Sequence, residues 1–230
     1  EKEIRKRIGV LHEKPVYPLN VSVIKLLRFI GKLKDVSISD IKRIISLVGL
    51  NEYIDRRIST LSRGYLQRLG LAIALIGDPE VLILDEPTAN LDPAARGEIL
   101  NLLQILKEDL NVTMIIASHI VSELEKICSD AVFINEGVVL SYGKLSDLAM
   151  KFNVETKIRI TSDMPRKVAS EIILNQKVKS IEIREKELII WTDNINENLI
   201  SELYSIKGVK DIEIVSASLY SLYRRVVLGE

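Results

Sequence analysis

Four aliphatic residues, Val81-Leu82-Ile83-Leu84, run directly into Asp85 and Glu86. Taking an unpaired carboxylate out of water costs several kcal/mol, so an acidic pair closing an apolar run marks a strand that ends where the protein stops being dry. In a parallel α/β sheet, ligands bind outside the carboxyl ends of the strands. Asp85 is then placed to hold Mg²⁺, directly or through a water, while the metal bridges nucleotide phosphates. Glu86, one residue on, points elsewhere and is suited to orient or deprotonate an attacking water. A strand-terminal acid pair that caps the next turn is the alternative reading of the same two residues. Ser62 and the amides around Gly64 open a helical pattern, and a helix N-terminus favours an anion. Simple N-capping is open for Ser62, and equally for Asp92 ahead of Pro93. His119 closes a second apolar run, either as a polar strand end or as a catalytic imidazole.

The elements that must position these residues are legible as an alternation. Ile8 to Leu11 reads as a short strand, and a loop with Pro15 and Pro18 follows it. Val21 to Leu33 and Ser39 to Val48 have helical spacing, the second with Ser39 as N-cap and Ile41, Ile44, Ile45 and Val48 as its stripe. Leu66, Leu69, Ile73 and Ile76 mark a further helix, stopped by Gly77-Asp78-Pro79. Val81 to Leu84 and Val112 to Ala117 are continuous apolar runs, which predict strands covered on both faces. Between them Asp92-Pro93 opens a helix whose stripe is Ile99, Leu102, Leu103, Leu106 and Leu110. Asn135-Glu136-Gly137 between two short apolar runs is a hairpin signal. Strands alternating with helices predict an α/β domain with a largely parallel sheet. Near residue 150 the pattern changes to β-α-β-β-α-β, with VKSIEI at 178 to 183 echoed by VKDIEI at 209 to 214. That order predicts a small α+β ferredoxin-like domain, closed by a helix from about Leu219 to Leu228. The domains are expected at 1–150 and 151–230.

Bulk properties narrow the function classes. The chain has 230 residues, 47% hydrophobic and 28% charged, enough for one large or two smaller domains. With 32 basic and 32 acidic side chains it offers no general attraction to nucleic acid or anionic lipid. A single cysteine, Cys128, forms no internal disulfide and fits a reducing compartment. No apolar stretch approaches the roughly 20 residues that cross a bilayer, and no signal peptide is visible. His12, Trp191 and the run Arg5-Lys6-Arg7 read as a loop side chain, core packing and a solvated face; Tyr17-Pro18-Leu19 reads as a partner patch or a partly buried loop.

Taken in order, these segments resemble the ATPases of the ATP-binding cassette (ABC) family. LSRGYLQRLGLA at 61 to 72 resembles the family signature, usually LSGGQ. VLILDEP at 81 to 87 resembles its Walker B strand and catalytic glutamate, and ANLDP at 89 to 93 its D-loop. Ile116-Ala117-Ser118-His119 resembles the strand end with the switch histidine. IGVLHEKP at 8 to 15 resembles the loop that usually carries a glutamine, with Glu13 in that place. The resemblance implies ATP and Mg²⁺ as cofactors, Asp85 as metal ligand, and Glu86 with His119 as the catalytic pair. It implies that Ser62, Arg63, Gly64 and Tyr65 meet the γ-phosphate of ATP held by a second cassette, that Asp92 reports across that dimer, and that Glu13 approaches the metal or the water. Arg63 and Tyr65 depart from the signature's glycine and glutamine, and Glu13 from the glutamine.

The resemblance covers about two-thirds of the chain and lacks one part. A phosphate-binding loop, G-x-x-x-x-G-K-[ST], is not found. The two Gly-Lys pairs, Gly31-Lys32 and Gly143-Lys144, have Leu26 and Val138 at the first glycine position and Leu33 and Leu145 at the Ser/Thr position. The start at Glu1 instead of a methionine, with Asp85, Glu86 and His119 intact, makes a piece of a longer protein the expectation. The expected fold is therefore a partial P-loop NTPase core with a helical subdomain at about 21–77, plus the ferredoxin-like domain. The expected function is the nucleotide-binding subunit of an ABC transporter of exporter type. It would pair as a homodimer with integral membrane permease subunits on the inner face of the cell membrane, without nucleic acid, and this chain alone would be inactive. The alternatives are a non-transport ABC ATPase and a non-catalytic interaction module.

Overall fold

A computed structural model describes residues 4, 6–110, 112–125, 127–174, 178–193 and 195–229. Most of the charged run at 1–7 therefore lies outside the described residues; Ile4 and Lys6 are helical, and Arg7 forks onto Glu80 at the surface. The chain divides into two compact units, Glu1–His119 and Ile120–Glu230.

The first unit is built on three parallel strands in the order β1-β2-β3: β1 (Ile8–Leu11), β2 (Val81–Asp85) and β3 (Thr113–Ala117). Helix α1 (Val23–Leu33) and helix α2 (Ile38–Leu47) precede α3 (Arg63–Leu75), and α4 (Pro93–Leu110) joins β2 to β3. Helix α2 starts two residues earlier than its sequence suggests. Ser37, not Ser39, is the N-cap, its Oγ accepting the Asp40 amide at 3.1 Å. Asp92 caps α4 as expected, with Oδ1 accepting the Ala94 and Ala95 amides at 3.0 Å each. Helix α3 is wrapped more completely than a single stripe predicts. Leu69, Leu71, Ala72, Ala74 and Leu75 are all buried, while Leu66 and Ile73 are only partly so, because α1, α2, α4 and β1 all contact it. Lys34 fastens its far end, donating Nζ to the Ile76 carbonyl at 2.7 Å, and burial holds the Lys34 pKa below its ordinary value.

The sheet corrects the expectation of strands covered on both faces. Leu11, Leu82 and Leu84 point into the core and are closed off from water. The opposite face carries Val10, Ile83 and Ile115, paired in one row across the three strands and 40%, 37% and 57% exposed. Strand β3, read as a buried strand, alternates exposed and half-buried residues instead. Hydrophobicity alone reports that a face is meant to be dry, not that this chain supplies the cover.

The second unit opens with a single helical turn, α5 (Val121–Leu124), and the hairpin of β4 (Asp130–Asn135) and β5 (Val138–Lys144). Glu136 and Gly137 both have positive φ, 49° and 77°, giving the two-residue primed turn whose twist suits a hairpin. After α6 (Leu145–Phe152) come β6 (Thr156–Ser162), α7 (Pro165–Leu174), β7 (Ser180–Ile183), β8 (Glu187–Thr192), α8 (Glu197–Ser205), β9 (Val209–Ala217) and α9 (Leu219–Tyr223). Their antiparallel order β7-β8-β6-β9 is the split βαβ arrangement read from the sequence. Ile158, Ile160, Leu188 and Ile190 form its core under α7 and α8. The change of pattern near residue 150 lies inside this unit. Helix α6 packs on β9 and α9, and α9 on α5, so the hairpin segment is grouped with the ferredoxin-like sheet.

Candidate functional site

Because β1, β2 and β3 are parallel and adjacent, their carboxyl ends fall on one edge of the sheet. Glu13 follows β1, Asp85 and Glu86 end β2, and Ser118 and His119 follow β3, so three segments far apart in sequence deliver their polar residues to the same edge. Asp85 is exposed and pairs in register with Ala117. The next residue turns sharply: Glu86 has φ 48° and donates its amide to the Ala117 carbonyl at 2.9 Å. A non-glycine residue held in the left-handed region carries backbone strain, and such strain concentrates where a side chain must be aimed.

The aim is definite. Glu86 Oε1 accepts the His119 amide at 2.9 Å and lies 2.8 Å from His119 Nδ1, while the Ser118 hydroxyl approaches Oε2 at 3.4 Å. The Glu86 carboxylate is largely buried and the His119 ring exposed, so a mostly desolvated carboxylate is held by a solvent-facing imidazole. Sequence reading placed Glu86 and His119 near each other but missed Ser118 and the amide of His119, because a backbone donor leaves no trace in residue type.

The other expected residues are distributed along the same edge and the adjoining helix ends. Ser62 occupies the N-cap position of α3, yet its side chain makes no capping hydrogen bond, which leaves the hydroxyl available. Ser62 and Arg63 are exposed at the tip. A Cβ on Gly64 would come within 3.2 Å of Ala95 Cβ, so the tip lies against the first turn of α4 that Asp92 caps. Glu13 is exposed and pairs with Lys14 at 3.4 Å; no bond joins it to Asp85 or Glu86 among the described residues. Tyr65 stacks on Tyr53 with centroids 3.8 Å apart and planes at 30°, and Arg56 lies 4.8 Å over the Tyr53 ring. The Tyr65 pKa is raised, first because its hydroxyl donates to the neighbouring Tyr53 hydroxyl and then by burial. The residue that departs from a glutamine is thus packed into a small aromatic stack. Tyr17 resolves as a partly buried loop residue. Its hydroxyl sits where a Cβ on Gly70 would be 2.8 Å away, and has no hydrogen-bond partner among the described residues.

Comparison with known proteins bears on this edge. The family described as ABC transporter matches residues 1–89. The energy-coupling factor transporter ATP-binding protein EcfA2 of Clostridioides difficile is 34% identical over 195 residues, covering 82% of this chain and 67% of its own. This chain belongs to the ATP-binding protein family of ABC transporters. The ABC transporter ATP-binding protein YhcH of Bacillus subtilis is 37% identical over 143 residues, 62% of this chain and 47% of its own length. The solved structure of cbiO1 from Clostridium perfringens, part of the ABC transporter complex cbiONQ, superposes with a TM-score of 0.57 at 30% identity, covering 65% of this chain and 62% of that one. The P-loop NTPase-like fold of the cassette is supported by that likeness. The chain spans about half the length of several of the curated relatives it matches. No described helix is long and apolar enough to cross a membrane.

Proposed function

We propose that this chain is the nucleotide-binding portion of an ABC transporter subunit of exporter type, coupling ATP binding and hydrolysis to movement of a substrate across a membrane. The observation that carries the reading is Glu86, aimed by His119 and Ser118 beside an exposed Asp85 at the carboxyl end of a parallel sheet. The donor set fits the group. Asp85 is a free carboxylate of the kind Mg²⁺ prefers, and Mg²⁺-ATP, when bound, supplies an electrophilic γ-phosphorus and a metal that neutralises charge on its oxygens. Glu86 accepts a proton from the attacking water, and His119 keeps the carboxylate turned toward that water. Ser62 Oγ and the first amides of α3, with Arg63, Gly64 and Tyr65 around them, present donors toward the phosphates held by a second copy. Asp92, at the neighbouring helix start, sits where that copy would be sensed, and Glu13 lies at the adjoining strand end.

The chain lacks a phosphate-binding loop, and we place that loop on a segment outside residues 1–230. The open row Val10-Ile83-Ile115 supports the placement, since Asp85 is the next residue on the same face of β2 and the row needs an apolar cover. Residues 151–230 are proposed as a separate ferredoxin-like extension, because β6 to β9 complete their own sheet. The exporter assignment rests on the resemblance of that extension to those of single-cassette subunits with separate permeases, which would hold the subunit at the inner face of the cell membrane. The test compares ATP turnover of the chain alone with that of the chain preceded by a phosphate-loop segment. Turnover in the extended form alone, with co-purification of an integral membrane protein, is expected; an extended form that binds ATP without hydrolysing it would overturn the proposal.

A further inference from the structure

The second unit carries a cavity of about 590 Å³ that the proposed nucleotide chemistry does not use. One wall is the start of α7, with Met164, Pro165, Arg166 and Lys167; the other is the end of β7 and the turn after it, with Ile183 and Arg184. Buried Ser162, at the end of β6, ties the two walls together. Its hydroxyl accepts the Met164 amide at 2.9 Å, and its own amide donates to the Lys186 carbonyl at 2.9 Å. The lining has two characters. Met164 and Ile183 are 41% and 48% exposed, apolar groups that the sheet core does not take. Arg166 and Lys167 are exposed and make no ion pair among the described residues, while Arg184 is held by Glu182 through Nε at 3.0 Å. Glu185 is the single acid in the lining, and Asp163, just ahead of α7, is engaged by Lys210 at 2.6 Å. Two cations in the first turn of a helix are opposed by its dipole, and α7 has no acid there to offset them. Helix stability therefore does not account for them.

We propose that this cavity binds a small organic anion, a carboxylate on a short aliphatic body. Its head would lie among Arg166, Lys167 and the terminal nitrogens of Arg184, and its body on Met164, Pro165 and Ile183. Small-molecule sites combine a volume of this size with an apolar lining and a few convergent polar groups. The cations set the sign of the ligand, and their hydrogen bonds to a carboxylate are charge-assisted. An inorganic phosphate would leave the apolar side chains unused, and an alkylammonium would meet like charges. Ser162 fixes the spacing of the two walls before a ligand arrives, which lowers the ordering cost of binding. The appended unit is then a ligand-binding module in its own right. The inference does not rest on the transporter reading, since every residue in it belongs to the second unit.

The experiment titrates the chain with sodium octanoate, and in parallel with octylamine and with inorganic phosphate, followed by calorimetry and by methyl resonances in NMR. Octanoate should saturate with a Kd on the order of 100 μM, as expected for a ligand of that size. The methyl signals of Met164 and Ile183 should shift with it, and the other two probes should bind roughly tenfold more weakly or not at all. Arg166→Glu with Lys167→Glu should weaken octanoate about tenfold while thermal stability is kept or raised, because the dipole of α7 favours acids in its first turn. That pairing separates a lost ligand from a lost fold. Ile183→Ser should weaken octanoate by about threefold, since part of the apolar contact is removed. Equal binding of octylamine, unchanged affinity in the doubly substituted chain, shifts confined to other methyls, or no saturation would overturn the inference. So would tighter binding of inorganic phosphate than of octanoate, since it would make the cavity a plain anion site. Failure here with ATP turnover intact in the extended protein would remove the ligand site and leave the transporter reading standing.

Discussion

Glu86 and Tyr17 are both residues whose chemistry is set by where the backbone leaves them. The positive φ at Glu86 turns its carboxylate onto the His119 amide and ring, away from the path a regular strand would give it. In the protein completed by a phosphate-loop segment, Glu86→Gln keeps the shape and one acceptor but removes the proposed base. Phosphate release should then fall by roughly 10²–10⁴-fold, the usual contribution of a general base, while ATP binding persists in a filter assay. Tyr17 is the opposite case, a titratable group pushed away from its function in water. Burial raises its pKa from 10.0 to about 12. The folded state therefore resists ionisation, so stability is unaffected below pH 10 and declines as pH rises from there toward 12. Alkaline titration followed at the tyrosinate absorbance should show a component near pH 12, and Tyr17→Phe should remove it while leaving the raised Tyr65 component in place.

Helix ends carry the second level of the argument. Three serines and an aspartate, Ser22, Ser37, Ser62 and Asp92, stand at helix N-cap positions in the first unit, and they behave differently. Ser37 and Asp92 bond the first turn of α2 and of α4, whereas Ser62 leaves the first turn of α3 unbonded by its side chain. Asp92→Ala should cost about 1 kcal/mol, read as faster amide exchange in the first turn of α4. Ser62→Ala should leave exchange in α3 unchanged, because there is no cap to lose. Sequence reading assigned capping as an option to both residues and had no means to separate them: a serine before a helix looks the same whether its hydroxyl turns back to the amides or outward. The misplaced start of α2 has a related cause. Ser37 and Ser39 are both competent caps, and the choice follows from Ser37 Oγ bonding both the Asp40 amide and its carboxylate.

At the scale of the molecule, the two faces of the parallel sheet define what is finished and what is open. Leu82 is fully closed off from water, while Ile83, the next residue, stands on the uncovered row. Leu82→Ala should destabilise the first unit by about 2–5 kcal/mol, and Ile83→Ala by much less. Amide exchange in β2 measures the difference without assuming that both units unfold together. If the Ile83 change proved as costly as the Leu82 change, the open face would not be open in solution. The second unit shows no such asymmetry in its sheet core, since Ile158, Ile160, Leu188 and Ile190 are closed off under its two helices.

Residue order alone determined the α/β alternation, the Asp92-Pro93 helix start, the turn at Glu136-Gly137 and the β-α-β-β-α-β order of the last eighty or so residues. Each depends on local periodicity or on a side chain's preference for a single backbone conformation, and such information is written within a few residues. Only the tertiary structure decided that Glu86 is held by an amide and an imidazole from thirty-odd residues later, that Tyr65 leans on Tyr53, and that one face of a largely apolar strand set is left exposed. These outcomes depend on which strand lies beside which and on what covers a face. Two sequences with the same pattern of apolar residues can differ in both, because hydrophobicity records a side chain's preference for burial and carries no record of the partner that buries it.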